Sequence, residues 1–547
     1  MVLQSVAAAW EESDHMHVWA LVLIVTLLLL CIVLGHLLEE SRFFNEATIA
    51  ILLGLVSGAL FIASGGSQTT SLLHFDTEIF FIYLLPPIIF NAGFSVKKKQ
   101  FFRNFFPIIL YGVVGVFVST AVITAAAKIT FPRFGIRKLT IADYLALGTI
   151  FSATDSVCVL QILNQDETPL LYSLVFGEGV VNDATTVVLF RAFQTFNVAE
   201  FSAGVYLNIL LNFVYLLLAS TALGVGVGLL SAYTIKRLYL GKHSTDREIA
   251  VMILMAYLSY IMAEMAQLSS ILTVFFCGIV MSHYTWHNVT ESSRITTRHA
   301  FATMSFIAET FIFLYVGLDG VEMTKWKQTH STEALGMFSV LLIATLVGRA
   351  AFVFPISAIA NRTRGSNNRI TIRHQIIIWW SGLMRGAVSI ALAYSQFSQS
   401  GDTQNPEHAT VIATTMAVVL FSTLAFGSVS KPIIEENGLA APLLSGGSYS
   451  GGSMDFDLAL PISSLTSGPS VTALLAAPSG TAHRLWRAFD NKFMRPSFGG
   501  FGFSPIEREE GTETSHRVRR SDSTRLVPYQ APDPPTPSKA ADPPILE

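Results

Sequence analysis

Charge is what this sequence has least of. Only 13% of its 547 residues are Asp, Glu, Lys or Arg, about half the ~25% of a soluble globular domain. A further 51% are apolar and the mean hydropathy is +0.52, so the chain reads as a polytopic membrane protein. Basic residues have no surplus. With 35 Lys and Arg against 38 Asp and Glu the formal charge is -3, which leaves nothing to neutralise a phosphate backbone and excludes nucleic acid as a partner. Cysteine is nearly absent: Cys31, Cys158 and Cys277 all fall in apolar runs, with no disulfide framework or metal-site spacing, and they read as packing residues. No phosphate-cradling Gly-rich loop ending in Lys-Ser or Lys-Thr is present, which weighs against a primary pump. No span carries the regularly spaced arginines of a voltage sensor and no loop resembles a selectivity filter, which weighs against a channel or sensor. The chain has no nucleophile and base constellation, so an enzyme is not expected, nor is a cofactor.

What is there is a series of apolar runs. They lie near 18–38, 47–64, 76–95, 105–127, 141–162, 170–190, 204–233, 247–266, 270–285, 302–320, 335–358, 374–397 and 408–430, which at about 20 residues per crossing makes about thirteen spans in a lipid bilayer. The first lacks a basic n-region and exceeds a signal h-region in length, so it is read as a retained span. Lys97, Lys98, Lys99 and Arg103, then Lys236, Arg237, Lys242 and Arg247, then Arg362, Arg364, Arg369 and Arg373 share one side, which the positive-inside rule makes cytosolic. The carboxyl tail then lies in the cytosol. The loop at Lys128 to Lys138 is contrary, and the sequons at Asn288 and Asn361 fall on the cytosolic side, where they would not be used.

Composition changes after about residue 433. We expect a transmembrane domain over 1–435 and a mostly disordered, regulatory tail over 436–547, because its Gly, Ser and Pro clusters cannot bury a core. One island stands out near 483–495, where Leu485, Trp486, Phe489 and Phe493 share a helical face flanked by basic residues. Three readings are open for it: capture by a calmodulin-type partner, a membrane surface, or packing on the domain's own cytosolic face. Arg517 to Ser523 places hydroxyls beside a basic run, either a kinase site or a solvated charge run.

The chemistry lies inside the spans. An intramembrane carboxylate costs about 2.5–3.5 kcal/mol on insertion scales and is a functional candidate by default. The fifth span carries Ser152, Ala153, Thr154, Asp155 and Ser156, residues that compete for backbone groups and tolerate an unwound turn. The twelfth is interrupted at Ser381, Gly382, Leu383, Met384, Arg385 and Gly386. Two interrupted spans seven apart are what inverted repeats leave in a sequence, although no residue-level repeat is detectable. In the sixth span Glu178 and Asn182 are one four-residue step apart and share a face, with Asp183 about 100° further round. Arg349 and Arg385 must be paired at that depth. Glu178 is the preferred partner of Arg349, leaving Asp183 as the titrating acid, and Arg385 is expected on carbonyl ends or Asp155. The plain alternative for these charges is a network that only fixes helix register. Glu309 is split between helix packing and a place in the ion path. Asp76, Glu78, Glu264 and Asp319 lie near span ends, where water is available, and Gly54, Gly58, Gly224, Gly226 and Gly228 read as close-packing residues.

Taken together, Gly177-Glu178-Gly179-Val180-Val181-Asn182-Asp183, Ala153-Thr154-Asp155-Ser156, Gly382-Leu383-Met384-Arg385-Gly386 and Ile79 to Ile88 strongly resemble the plant intracellular sodium/proton exchangers of the monovalent cation/proton antiporter superfamily, most closely the vacuolar branch. The resemblance implies an all-α bundle of inverted repeats with crossed discontinuous helices, working as a homodimer that exchanges cytosolic Na⁺ or K⁺ for lumenal H⁺ at the vacuolar membrane. It implies Asp183 as the acid that binds cation and proton alternately, with Asn182 beside it and Thr154 and Asp155 at the unwound crossing. Arg349 would pair with Glu178, and Arg385 would support the opposite crossing. Phe81, Tyr83, Leu84, Pro86 and Pro87 match a stretch associated with amiloride-type inhibitors. The Asn182-Asp183 form goes with electroneutral exchange, whereas two adjacent aspartates go with electrogenic members. No metal is implied beyond the transported ions.

Overall fold

The computed structural model describes residues 2–38, 41, 44–63, 75–155, 157–160, 163, 168–195, 203–238, 244–321, 331–362, 369–398, 406–436, 486 and 489–499. These form helices and the turns and unwound stretches that join them, with no strand among them. The Gly, Ser and Pro clusters of the tail, Arg517 to Ser523, Leu485 and the side chain of Cys158 lie outside them. Contacts divide the chain into one unit over Met1–Ser504 and another over Pro505–Glu547, and everything described belongs to the first.

The helices follow the apolar runs: α1 Val2–Leu37, α2 Glu46–Ala63, α3 Ile79–Ser95, α4 Phe105–Phe134 and α5 Ile141–Ile150. Then come α6 Val157–Leu160, α7 Pro169–Thr195, α8 Ala203–Leu238, α9 Thr245–Met265, α10 Ser270–Val280 and α11 Glu291–Asp319. The series closes with α12 Ser331–Arg362, α13 Ile372–Ser381, α14 Ala387–Phe397 and α15 Pro406–Ile434. Among the described residues, eight helices are long and apolar enough to cross a membrane. Five of the thirteen runs fall short of this as single helices, and two of them, 141–162 and 374–397, are those with polar interruptions. Starts are set by local chemistry. Thr140 and Asp143 form a reciprocal capping box at α5, Ser269 caps α10 and Thr290 caps α11, each satisfying a backbone N–H that would otherwise be orphaned.

Packing sorts the helices into two bundles. The scaffold contains α1, α2, α3, α8, α9, α10 and α11, with α2 against α11, α3 against α10 and α8 against α10. The second bundle contains α4, α5, α7, α12, α13, α14 and α15, with α4 against α12, α5 and α7, and α14 against α15 and α5. Small residues let the scaffold backbones meet. A Cβ at Gly54 would stand 2.5 Å from the Leu314 carbonyl, and one at Gly317 2.5 Å from that of Ile51, so α2 and α11 touch main chain to main chain. Gly58, Gly224 and Gly228 are likewise confined, whereas a Cβ at Gly226 would meet nothing within 4 Å. Cys31 and Cys277 are buried free thiols, as expected of packing residues.

Of the acids read as wet, Asp319 is not at water, whereas Glu264 keeps a side chain 44% exposed although it is paired. Asp319 is 1% exposed, because the chain before α3 folds over it: Oδ1 accepts from the Phe75 N–H at 3.2 Å and Oδ2 from the Tyr394 hydroxyl at 2.8 Å. Glu264 is ion-paired, Oε1 accepting from Arg191 Nη2 at 2.6 Å and Oε2 from the Ser270 hydroxyl at 3.1 Å. Both bonds join the scaffold to the second bundle, on the side opposite residues 489–499.

Candidate functional site

The site is built where two helices stop. α5 ends at Ile150 and the chain runs unwound to Asp155 before α6 begins; α13 ends at Ser381 and runs unwound to Gly386 before α14 begins. The two breaks cross. The Asp155 N–H donates to the Met384 carbonyl at 3.0 Å and the Ser389 hydroxyl donates to the Ile150 carbonyl at 3.1 Å. Each broken helix brings a carbonyl end and an N–H end to mid-membrane, an arrangement tolerated only where the backbone is buried in protein or lines a cavity. Gly386 is there for space rather than for its φ of −121°, because a Cβ would strike the Asp155 carboxylate. The carboxylate thus sits at the start of α14, where the helix dipole is positive. Gly386→Ala is expected to displace Asp155 and slow ion exchange by on the order of 10- to 100-fold in a protein that still folds, measured as flux in vesicles beside a thermal melt.

The α7 side chains divide as the helical spacing predicts. Asn182 pins the fifth span's break, its Oδ1 accepting from the Thr154 N–H at 3.2 Å and its Nδ2 donating to the Ser152 carbonyl at 3.2 Å. Glu178, on the same face, forms a buried ion pair with Arg349 through Nη1, with Nη2 at 3.2 Å. Arg349 also donates to the Ile378 carbonyl at 2.7 Å and lies over the Phe352 ring at 5.1 Å, and Gly382 leaves room for its guanidinium. Asp183 differs from both: its Oδ1 is buried and has no hydrogen-bond partner, with Asp155 within electrostatic reach. A carboxylate oxygen left bare in the membrane needs a proton or a cation to satisfy it.

Arg385 takes the first of its expected partners, donating through Nη1 to the carbonyls of Gly382 at 2.7 Å and Met384 at 3.1 Å. Two hydroxyls that no sequence signal singled out brace its backbone. Ser422 Oγ accepts from the Arg385 N–H at 3.1 Å and Thr423 donates to its carbonyl at 3.1 Å; an adjacent hydroxyl pair deep in an apolar span was the available clue. Glu309 sits on α11 in the scaffold, half-buried, accepting from the Ser305 hydroxyl at 2.8 Å, with Asp155 and Glu46 within electrostatic reach. The stretch from Phe81 to Pro87 is on the scaffold, against α11. Its first part is a π-helical turn, Ile79–Leu84, whose freed carbonyls at Phe81 and Ile82 accept the hydroxyls of Tyr260 at 2.5 Å and Tyr257 at 2.8 Å. Pro86 is buried there, Phe81, Leu84 and Pro87 partly so, and Tyr83 exposed. Among the described residues no His, Cys, Asp and Glu cluster could hold a resident metal ion. The sequon amides are engaged, Asn361 with Ile370 and Asn288 with Ala232 and Phe498.

This arrangement can be set beside known proteins. The family model for the transmembrane part of sodium/hydrogen exchangers matches residues 23–436. The chain is 54% identical to sodium/hydrogen exchanger 1 of Oryza sativa subsp. japonica, over 94% of this chain and 98% of that one. It is 52% identical to sodium/hydrogen exchanger 1 of Arabidopsis thaliana, over 92% and 96%, and 58% identical to exchanger 3 of the same plant, over 77% and 85%. Its fold is similar to that of the sodium proton antiporter MjNhaP1 from Methanocaldococcus jannaschii, with a TM-score of 0.55 at 16% identity, over 77% of this chain and 99% of that one. With a matching model over most of its length and relatives above half identity, the chain belongs to the sodium/hydrogen exchanger family.

Proposed function

We propose that this chain is a secondary active antiporter that exchanges cytosolic Na⁺ or K⁺ for lumenal H⁺ one for one across the vacuolar membrane, and so supports ion and pH homeostasis and salt tolerance. The observation that carries the reading is the bare, buried Asp183 Oδ1 beside a helix crossing. An uncompensated charge there is costly, so the acid is carried across the membrane neutralised either by a proton or by a cation, and a proton leaves only when a cation takes its place. Asn182 is spent on the backbone of the crossing and adds no second charge, while Glu178 and Arg349 cancel each other, which agrees with one-for-one exchange. The vacuolar membrane and the use of K⁺ rest on the resemblance to the vacuolar branch.

Alternating access follows from the two bundles. The bundle holding Asp155 and Asp183 moves against the scaffold, which also forms the homodimer contact and presents Glu309 toward the ion path. The exchanger proper occupies 1–435, and 436–547 is a regulatory tail on the cytosolic side. The bonds Arg191 to Glu264 and Tyr394 to Asp319 tie the bundles on the far side from the tail, so each cycle must break them. Arg191→Gln is expected to change the exchange rate several-fold, and the reversed pair Arg191→Glu with Glu264→Arg to bring it back toward native. Equal rates in all three would mean that the pair is not strained by transport. The function as a whole is tested by proton efflux from acid-loaded vesicles reconstituted with the protein, adding Na⁺ and K⁺ separately and no nucleotide. Efflux driven by either cation supports antiport, and cation current without a pH gradient would overturn it in favour of a channel.

A further inference from the structure

Among the described residues of the tail, 489–499 return to the membrane domain, and the contact is specific. The Asp490 carboxylate is 3% exposed, although it belongs to a segment far from any span. Its Oδ1 accepts from the Tyr284 hydroxyl at 2.6 Å and its Oδ2 from Arg495 Nε at 3.0 Å, with His283 Nε2 3.9 Å away. Lys236, at the end of α8, donates to the carbonyls of Pro496 at 2.7 Å and Arg495 at 3.3 Å, and Asn288 donates to that of Phe498 at 2.7 Å. At Gly499 the chain turns with φ +81°, where a Cβ would strike the Asn288 side chain. Every one of these receptors is on the scaffold, so this dock leaves the moving bundle free.

The aromatic face of the same segment is not used by the dock. Trp486, Phe489 and Phe493 are 53%, 46% and 55% exposed and form one continuous row, with ring centroids 5.9 Å and 5.6 Å apart and Lys492 Nζ 5.5 Å from the Phe493 ring. Three large rings left in water would be a costly surface in a segment otherwise held by polar bonds. Their height in the protein says what covers them. Lys236 and Arg237 are the first charges after the apolar length of α8, and Arg237 lies over the exposed Tyr233 ring at 5.4 Å, a Tyr and basic layer of the kind found at a membrane–water boundary. The segment is fastened to that layer through Lys236. Its own charges are mainly basic, Arg484, Arg487, Lys492 and Arg495, and its acid, Asp490, is consumed in the dock.

We infer that Trp486, Phe489 and Phe493, presented by the Asp490 dock on the scaffold, form an anchor in the headgroup layer of an anionic membrane surface. Aromatic rings at the acyl boundary with Lys and Arg among acidic headgroups are the two signals such an anchor requires. A calcium-sensor protein would need the same row free to be enwrapped, which the dock opposes. The inference concerns the tail and the scaffold and does not depend on which ions are exchanged.

The test uses the full chain with Cys31, Cys158 and Cys277 replaced by Ala and Phe489→Cys carrying an environment-sensitive fluorophore, in vesicles of phosphatidylcholine with and without phosphatidylserine. Lipids spin-labelled near the headgroup are expected to quench the probe several-fold more than aqueous iodide does, and more strongly when phosphatidylserine is present. Adding Asp490→Ala is expected to lower the lipid quenching several-fold while exchange activity persists as evidence of folding. Quenching by iodide and not by lipid would overturn the anchor, as would a probe that leaves water only when calcium and calmodulin are added. Lipid quenching unchanged by Asp490→Ala would overturn the role of the dock.

Discussion

Asp183→Asn is expected to abolish cation-driven proton efflux from reconstituted vesicles, down to the level of protein-free controls, while the protein remains folded and inserted. The substitution keeps the shape of the side chain and removes its ability to exist as an anion, so neither a proton nor a cation can be exchanged there. Little else should change, because Asp183 Oδ1 holds no structural bond and the neighbouring Asn182 continues to carry Thr154 and Ser152. Asn182→Ala makes the informative contrast: it spares the acid and loosens the crossing, so it should slow exchange without removing the coupling between cation and proton. Flux is measured with Na⁺ and K⁺ in separate runs, which also yields the ion preference. Efflux that survives Asp183→Asn would return the residue to a helix-packing role and make Asp155 or Glu178 the next acid to replace.

The site was legible because membrane burial magnifies local chemistry. In an apolar span, the cluster from Ser152 to Ser156 and the Gly-rich stretch from Gly382 to Gly386 each had to mean a break, since backbone groups can leave a helix in lipid only where something else receives them. That the two breaks receive each other, Asp155 bonding Met384 and Ser389 bonding Ile150, is tertiary information, and only the matching spacing of the two spans hinted at it. The Glu178 and Arg349 pair could be anticipated because an intramembrane Arg has few partners to choose from. Span ends were read less well. Hydropathy assigns water to any acid near a helix terminus, and it cannot see Tyr394, which comes to Asp319 from 75 residues away. In the tail, periodicity found the aromatic row. Packing on the domain's own face stood among the readings of this island and is observed, but the residue that makes the central bond is a single Asp that the pattern of apolar positions does not weigh.

Removing one member of the buried Glu178 and Arg349 pair is expected to destabilise the protein by about 3–5 kcal/mol, more than removing both. The pair joins α7 to α12, and the Ile378 carbonyl brings in α13, so three helices of the second bundle lean on one guanidinium. Glu178→Leu would leave Arg349 charged at 2% exposure with one carbonyl and the Phe352 face as its remaining support, and Arg349→Leu would leave the Glu178 carboxylate without its counter-ion. With Glu178→Leu and Arg349→Met together, the site holds two apolar side chains and no uncompensated charge, so most of the loss should be recovered. Thermal melts of the detergent-purified variants check the order, the two singles melting well below native and the double between them and native. Singles that melt with the native protein would remove the pair from the stability of the bundle. If the double variant is stable and still exchanges ions, the pair serves register alone; if it is stable and inactive, the charges themselves take part in the exchange proposed at Asp183, and the one-for-one ratio proposed above would rest as much on Glu178 and Arg349 as on Asn182.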